Sequence, residues 1–418
     1  MVHSHFSRDG RMRIFSEVSW YCKTFSRQNV LCSLIRQSCR TDFFGMKILH
    51  IIYDDIGNPW CGGGGALRVL KVNECLAEDN DITVITGNYP HAKNEAINNV
   101  RFIRIGNQSS YLLSRLSFSL CTPYFVNRIE SDIVVNECSY FSPCFADIIT
   151  KRPVINVIHH LIGKHSFRLY PLIGLYPFLV EKMFLKTIKN LITSAEQIRY
   201  DIQRTVRLEE SASIANGVAE EWYDLTPEEK PFILFLGRID IYMKGLDILI
   251  EAFSGVDKNR DIILKIAGGG KSREVLRLKN LIELSGKKNR IEYLGKVSEE
   301  EKKELMRTCQ FLVMPSRFEG WGITALEANT AGKPVLGTRI KGLSEAVIDN
   351  ETAILVAPGN PDKVTMALKQ LLDDDEFRAR LGKQGRQWAK KNSWRAVAAK
   401  QYKFYESVLM DAKKKRDV

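Results

Sequence analysis

Residues 315–328 have the sequence Pro-Ser-Arg-Phe-Glu-Gly-Trp-Gly-Ile-Thr-Ala-Leu-Glu-Ala. The apolar run at 311–314 before this stretch predicts a buried parallel strand. Residues 325–331 predict a helix, which Gly332 ends in a left-handed conformation and Pro334 prevents from continuing. A strand, a glycine-containing loop and a helix form the repeating unit of a doubly wound parallel sheet, so this stretch decides the expected fold.

Two carboxylates in this stretch, Glu319 and Glu327, are separated by seven residues. Glu319 is expected in the loop and Glu327 in the first turn of the helix. Gly320 and Gly322 let the backbone approach a ligand closely, and a helix N-terminus presents free N–H groups to an anion. The stretch therefore predicts a loop that binds a phosphorylated ligand beside an acid. A structural alternative stays open for Glu327, because Thr324 and Glu327 also fit a capping box.

A second strand-and-turn unit carries two cations just before a helix. Residues 232–236 predict a strand, and the turn after it contains Arg238 and Lys244. A guanidinium offers a fork of donors and an ammonium a compact charge, so a diphosphate is the expected partner. Each cation taken alone is also compatible with a solvated surface position.

The sequence Glu-Gly-Trp-Gly-Ile-Thr-Ala-Leu-Glu at 319–327 resembles the E-x7-E motif of retaining GT-B glycosyltransferases, especially glycosyltransferase family 4. Trp321 and Thr324 depart from the usual form of the motif, which has phenylalanine and proline at these positions. Thr324 loses only the preset φ of proline at the helix start, which a threonine cap can offset.

The resemblance extends from residue 46 to about residue 410 and implies an α/β fold, GT-B, with two doubly wound Rossmann-like domains facing a central cleft. The expected ranges are an acceptor-side domain at 46–217, a nucleotide-sugar domain at 218–394, and a helix with a basic tail at 395–418 that crosses back. Residues 1–45 lack a convincing period, whereas the run after Met46 begins abruptly as a strand. An N-terminal arm outside the fold, or a true start at Met46, is expected.

The resemblance also implies which residues form the site. His159 ends a predicted strand at 154–158, and it aligns with the histidine that ends a strand in the family. The expected catalytic residues are Glu319 and His159. Donor contacts are expected from Gly64, Gly65, Arg238, Lys244, Gly320, Gly322, Ile323 and Glu327. No cofactor and no metal are expected, since the nucleoside-diphosphate sugar is a co-substrate.

Charge and composition limit the partners. The net charge of +12 is concentrated in part at both ends, including a basic run at 413–416. A solvated tail is the simplest explanation, and attraction to an anionic membrane is the alternative. Nucleic acid is not an expected partner, because no aromatic-basic stacking surface is apparent. Nine scattered cysteines without zinc-ligand spacing, and no secretory segment, indicate a cytoplasmic protein, at most at the inner face of the membrane.

Two aromatic and basic stretches, at 111–125 and 165–189, lie between predicted strands. For the second stretch, in which aromatic and basic residues interleave, we expect a helix hairpin buried against the first sheet, and a membrane interface is the alternative. Contact with the membrane is expected to be electrostatic, driven by the basic ends and residues 167–189, and to weaken with salt.

Together these features predict a retaining glycosyltransferase, a hexosyltransferase, that moves a sugar from a nucleoside-diphosphate sugar to the hydroxyl of a sugar or lipid-linked acceptor. The expected setting is the synthesis of a cell-surface glycan or glycolipid. Two alternatives stay open: a GT-B nucleotide-sugar epimerase, which needs no acceptor, and a non-enzymatic basic protein that binds membrane or nucleic acid.

Overall fold

The computed structural model describes residues 45–257 and 260–416. The arm expected at 1–45 therefore lies, apart from Gly45, outside the described residues. The described chain forms two open sheets of mainly parallel strands with helices on their faces, so the predicted class of two doubly wound α/β domains is confirmed.

The first sheet has eight strands in the order β3-β4-β2-β1-β5-β6-β7-β8, and only β3 runs antiparallel to its neighbour. Its strands are β1 (Lys47–Ile51), β2 (Asp81–Gly87), β3 (Glu95–Ile97), β4 (Val100–Ile105), β5 (Ile133–Glu137), β6 (Val154–Ile158), β7 (Asn190–Thr193) and β8 (Glu210–Ser213). The helices of this half are α1 (Gly64–Leu76), α2 (Tyr111–Arg128), α3 (Ala146–Ile149), α4 (His165–Leu169), α5 (Leu175–Leu185) and α6 (Glu196–Gln203).

The second sheet has six parallel strands in the order β11-β10-β9-β12-β13-β14. They are β9 (Phe232–Leu236), β10 (Ile263–Ala267), β11 (Ile291–Gly295), β12 (Leu312–Met314), β13 (Val335–Thr338) and β14 (Ala353–Val356). The helices are α7 (Ile241–Lys244), α8 (Leu246–Ser254), α9 (Ser272–Leu284), α10 (Glu299–Thr308), α11 (Ile323–Thr330), α12 (Leu343–Ala346), α13 (Pro361–Asp373), α14 (Asp375–Ala389) and α15 (Trp394–Lys414), with 3₁₀ turns at Glu220–Asp224 and Lys288–Arg290.

Each sheet has one point where the strand order reverses, between β1 and β5 in the first and between β9 and β12 in the second. The loops that leave neighbouring strands at such a point diverge to opposite faces and open a crevice at the carboxyl ends of the strands. The loop after β9 leads to the predicted cations, and the loop after β12 leads to the predicted carboxylates. The topology therefore places these two loops side by side.

The terminal helix α15 returns to the first domain and packs on α1. Tyr405 and Val408 of α15 lie in one buried cluster with Val69 and Val72 of α1. Where α1 meets the domain junction, the buried guanidinium of Arg68 donates to the carbonyl of Ala215 and the side chains of Asn216 and Gln401. This contact joins α1, the junction and α15.

Three local expectations need correction. Helix α1 begins at Gly64 rather than at residue 67, so the Gly64-Gly65 pair forms its first turn. Helix α11 begins at Ile323 rather than at residue 325, which moves Glu327 into the second turn, whereas Gly332 does adopt φ 74° after the helix. The stretch 165–189 does form helices, but its apolar side chains, expected to be buried, are only partly so. No helix in the described part of the chain has the length and hydropathy to cross a bilayer.

Candidate active site

The loops after β9 and β12 are held against each other by backbone contacts. Gly245, directly after α7, has φ 66°, and a Cβ at this position would lie 2.0 Å from the carbonyl oxygen of Pro315. The carbonyl of Met243 accepts hydrogen bonds from the backbone N–H groups of Arg317 and Phe318. The cation-bearing turn and the glutamate-bearing loop therefore form one packed unit.

Glu319 and Lys244, predicted separately from two motifs, form an ion pair. The Nζ of Lys244 lies 2.5 Å from Oε1 of Glu319, and both side chains are mostly buried. The hydroxyl of Ser316 also donates to this oxygen, at 2.9 Å. The carboxylate is therefore shielded from solvent and has a fixed orientation.

The same unit is braced from outside by Arg317. Its guanidinium makes a bidentate bridge to Asp247, with both N–O distances at 2.8 Å, and also donates to the carbonyl of Tyr242. Arg238, by contrast, has an exposed side chain 4.0 Å from Oδ2 of Asp240. It is the more accessible of the two predicted cations.

The predicted histidine belongs to a hydrogen-bonded relay at the carboxyl ends of the first sheet. The Nε2 of His159 lies 2.8 Å from one oxygen of Glu137, and the Nε2 of His50 lies 3.0 Å from the other. The amide of Asn73 lies 3.0 Å from Nδ1 of His50. Burial alone would raise the pKa of Glu137, but the charge and hydrogen bonds of His159 and His50 lower it to about 2. The carboxylate thus positions the ring of His159.

Two helix N-termini meet where the domains face each other. A Cβ at Gly64, the first residue of α1, would lie 3.2 Å from Cδ1 of Ile323, the first residue of α11. A Cβ at Gly320 would lie 3.5 Å from the carbonyl oxygen of His159, and one at Gly65 would lie 3.9 Å from its Nε2. The structure therefore brings these glycines, Ile323 and His159 together. The first turns of two helices therefore lie close together, and the N–H groups at a helix N-terminus favour an anion.

The positive charge of Arg238, in the second domain, also acts on His160 in the first domain. Burial first, and then the positive charges of His159 and Arg238, lower the pKa of His160 to about 4. The ring of His160 meets Phe318 edge to face at 5.4 Å. A neutral imidazole therefore lines the wall between the two domains, next to the loop that carries Glu319.

Glu327 is held by a different partner. Its carboxylate is buried and lies 2.7 Å from Nζ of Lys302 on α10, whose ammonium stands 5.1 Å over the ring of Trp222. Burial raises the pKa of Glu327, while Lys302 acts in the opposite direction. No side chain caps α11, because Gly322 precedes it and Thr324 lies inside it, so the capping-box alternative is wrong.

Three partners of the site were not predicted from the sequence. The sequence contained a signal for Ser316, which lies inside the stretch 315–328. It also contained one for Glu137, which ends β5 beside β6, the strand that precedes His159. Lys302 had no such signal, because it follows three glutamates in a sequence typical of a solvated helix.

Comparisons with known proteins concern the domain family and the fold. Residues 221–388 match the family model described as glycosyl transferases group 1. An uncharacterized glycosyltransferase of Methanocaldococcus jannaschii is 29% identical over 377 residues, covering 87% of this chain and 99% of that protein. Sucrose-phosphate synthase of Thermosynechococcus elongatus superposes with a TM-score of 0.76 at 20% identity, over 88% of this chain and 100% of that one. Anabaena HepE in complex with UDP-glucose has a TM-score of 0.68 at 17% identity, over 87% and 100%. The fold is GT-B, and the chain carries a glycosyltransferase domain.

Proposed function

We propose that this chain, which is a glycosyltransferase, transfers a hexose from a nucleoside-diphosphate sugar to an acceptor hydroxyl with retention of the anomeric configuration. It would act as a member of glycosyltransferase family 4, a narrower assignment than the comparisons reach. The motif at 319–327 and the cleft between two Rossmann-like domains support it. The bond from the anomeric carbon to the phosphate oxygen breaks, a bond to the acceptor oxygen forms, and the hydroxyl proton leaves with the nucleoside diphosphate.

The observation that carries the proposal is the Glu319–Lys244 pair beside the two facing helix N-termini. A diphosphate gains charge as it leaves, and fixed donors that already point at it stabilise that change without reorganising. The N-terminal turns at Gly64 and Ile323, with Lys244 and the accessible Arg238, are such donors. The chain's own cations can thus serve a metal-independent reaction.

The carboxylates and the histidine have distinct proposed roles. Glu319 lies beside the diphosphate site with its orientation fixed by Lys244 and Ser316, so it can stabilise the positive charge that develops on the sugar. His159 donates through Nε2 to Glu137, which leaves Nδ1 as the ring atom for a sugar or acceptor hydroxyl. Glu327 is proposed to accept from the ribose hydroxyls, for which Lys302 must share its carboxylate.

Thermal-shift measurements with UDP, GDP, ADP and their hexose conjugates test the donor. Binding raises the apparent melting temperature by mass action, and UDP is the first probe because HepE was solved with UDP-glucose. We expect one nucleotide to stabilise the protein and its sugar conjugate to do so more strongly. An NMR assignment of the product anomer then tests retention, and turnover that requires an acceptor alcohol excludes an epimerase.

The acceptor is proposed to be a sugar or a lipid-linked hydroxyl compound of a cell-surface glycan or glycolipid, used at the inner face of a membrane. The basic C-terminal run contributes less charge than its sequence suggests, because Lys415 pairs with Glu209 at 2.6 Å and Lys414 lies 3.8 Å from Asp411. Support for a membrane contact comes instead from residues 111–183.

A further inference from the structure

Helix α2 has its polar and apolar residues in unusual places. Its inward face buries the polar side chains of Ser114, Arg115 and Thr122 beside the apolar ones of Phe118, Phe125 and Val126. Its outward face carries a row of leucines: Leu112, Leu116 and Leu120 are 66%, 50% and 62% exposed, and Leu113 and Tyr111 are exposed beside them. A contiguous apolar face of this kind marks a binding surface rather than the outside of an ordinary helix.

A second apolar face lies on α5 and the turn before it. One side of α5 is buried in the domain through residues such as Val180 and Phe184. The other side and the preceding turn expose large apolar side chains, which are Leu172, Ile173, Leu175, Tyr176, Leu179 and Met183. The outer side of α5 and the turn before it therefore have no covering element among the described residues.

The two faces join through aromatic rings. The Arg115 guanidinium lies 4.7 Å from the Tyr111 ring and 5.9 Å from the Phe141 ring, and Phe141 in turn lies 6.4 Å from Tyr176. We call the exposed apolar residues of α2, of α5 and of the turn before α5 the docking surface.

The exposed charges within α2 and residues 159–189 have one sign. Helix α2 contains no acidic residue, and the only one in 159–189 is Glu181. Glu181 is buried and accepts hydrogen bonds from the N–H groups of Ile162 and Gly163. The remaining charges there are basic, namely Arg128, Lys164, Arg168, Lys182, Lys186 and Lys189.

We propose that the docking surface inserts into the headgroup and acyl boundary of an anionic lipid bilayer. The inference rests on the proposed function only in that a lipid-linked acceptor would be presented there. Leucines and aromatic rings bordered by lysine and arginine are the composition of an interfacial membrane contact. A second copy of the chain is disfavoured as the occupant, because it would bring the same basic rim against itself.

Helix α4, which precedes the turn and α5 of the docking surface, borders the cleft. The His165 ring lies 5.9 Å from Phe318, next to Glu319, and the Arg168 guanidinium stacks 4.1 Å over Tyr242 of α7. Segment 165–183 therefore contacts both loops that carry the Glu319–Lys244 pair. A bilayer bound at this surface lies at the mouth of the cleft, where an acceptor hydroxyl attached to a lipid can enter.

Flotation with vesicles of phosphatidylcholine and phosphatidylglycerol tests the inference. One variant combines Leu112→Ser, Leu116→Ser and Leu120→Ser, and a second combines Leu175→Ser and Leu179→Ser. The matched control combines Leu276→Ser and Leu284→Ser on α9, where the leucines are 60% and 85% exposed but outside the surface. Each leucine withdrawn from lipid should weaken vesicle binding by about tenfold or more. The wild type and the control should float alike, and part of their binding should persist at about 1 M salt, where charge is screened within roughly 3 Å.

Two results overturn the inference. One is equal flotation of the wild type and both docking-surface variants. The other is a wild type that binds no vesicle. If that wild type is also a dimer that the leucine substitutions dissociate, the surface is assigned to a second copy of the chain. Nucleotide thermal shifts on the same proteins test donor binding, and so test the proposed function separately from vesicle binding. A failed nucleotide screen with intact flotation would reject donor binding and leave the docking surface standing.

Discussion

Replacing Glu319 by glutamine removes one charge from the centre of the site while keeping its shape. The amide oxygen can still accept from Lys244 and Ser316, which lie 2.5 and 2.9 Å from the carboxylate. What is lost is the negative charge beside the developing positive charge of the sugar. Loss of one preorganised electrostatic contact lowers kcat by about 10²–10³, or about 2.7–4 kcal/mol of barrier. KM should change little, because the donor in its ground state does not carry that charge.

Stability should also fall, since the ion pair becomes a bond between a charge and a neutral amide. Hydrogen bonds to charged groups contribute about 1.5–3 kcal/mol, so we expect a loss at or below that range in the free energy of unfolding. Asp247→Asn is the control, because it weakens the bidentate brace to Arg317 on the same loop without touching the Glu319 carboxylate. It should lower the melting temperature with less than about a tenfold effect on kcat.

The assay is steady-state kinetics at saturating acceptor, with melting temperatures measured on the same preparations. An unchanged kcat in Glu319→Gln would refute the assignment of the central loop. Equal losses of kcat in Glu319→Gln and Asp247→Asn would show that the loop's position matters and the charge does not.

Three further predictions concern other parts of the chain. Glu327→Gln should raise KM for the donor with kcat nearly unchanged. It should also destabilise the fold, because Lys302 keeps its charge in a buried position. A change in stability with no change in KM would leave Glu327 a purely structural role. The pKa of Glu137 is about 2, below its ordinary value of 4.5, so its contribution to stability is complete above about pH 4.5 and is lost as the pH falls towards 2. Urea titrations across that range should show a shallower pH dependence for Glu137→Gln, and identical slopes would contradict the relay with His159. A chain beginning at Met46 should keep its melting temperature and activity, because β1 begins at the next residue; a markedly lower melting temperature would show that the first 45 residues support the fold.

Local spacing was enough to predict doubly wound parallel sheets, and the GT-B arrangement of two such domains was implied by the family resemblance. Short β-branched runs alternating with helical segments indicate a doubly wound sheet wherever they occur, and each strand-loop-helix unit contains its own signals. The family resemblance assigned Arg238, Lys244 and Glu319 to one region, and the strand order of the structure places the loops from β9 and β12 at the same crevice. Errors of two or three residues at the starts of α1 and α11 arose because glycine at a helix start has no side-chain pattern to mark it.

Pairings between distant residues were decided only by the tertiary structure. Lys302 and Glu327 are 25 residues apart on different helices, and neither local sequence specifies that their side chains meet. The same holds for Glu137 and His159, which come from neighbouring strands, so that only the register of β5 and β6 brings their ends together.

Burial of the apolar helices is the clearest case of a property absent from the sequence alone. An apolar stripe predicts that a helix has an apolar face, and the usual inference is that this face is buried. In α2 only part of the apolar surface is turned inward, through Phe118, Phe125 and Val126, and the rest of the space under the helix is filled by polar Ser114, Arg115 and Thr122. The Arg115 guanidinium lies 4.1 Å from the Tyr53 ring. Which face of a helix turns inward depends on partners contributed by remote strands and loops, and the periodicity of one segment does not contain them.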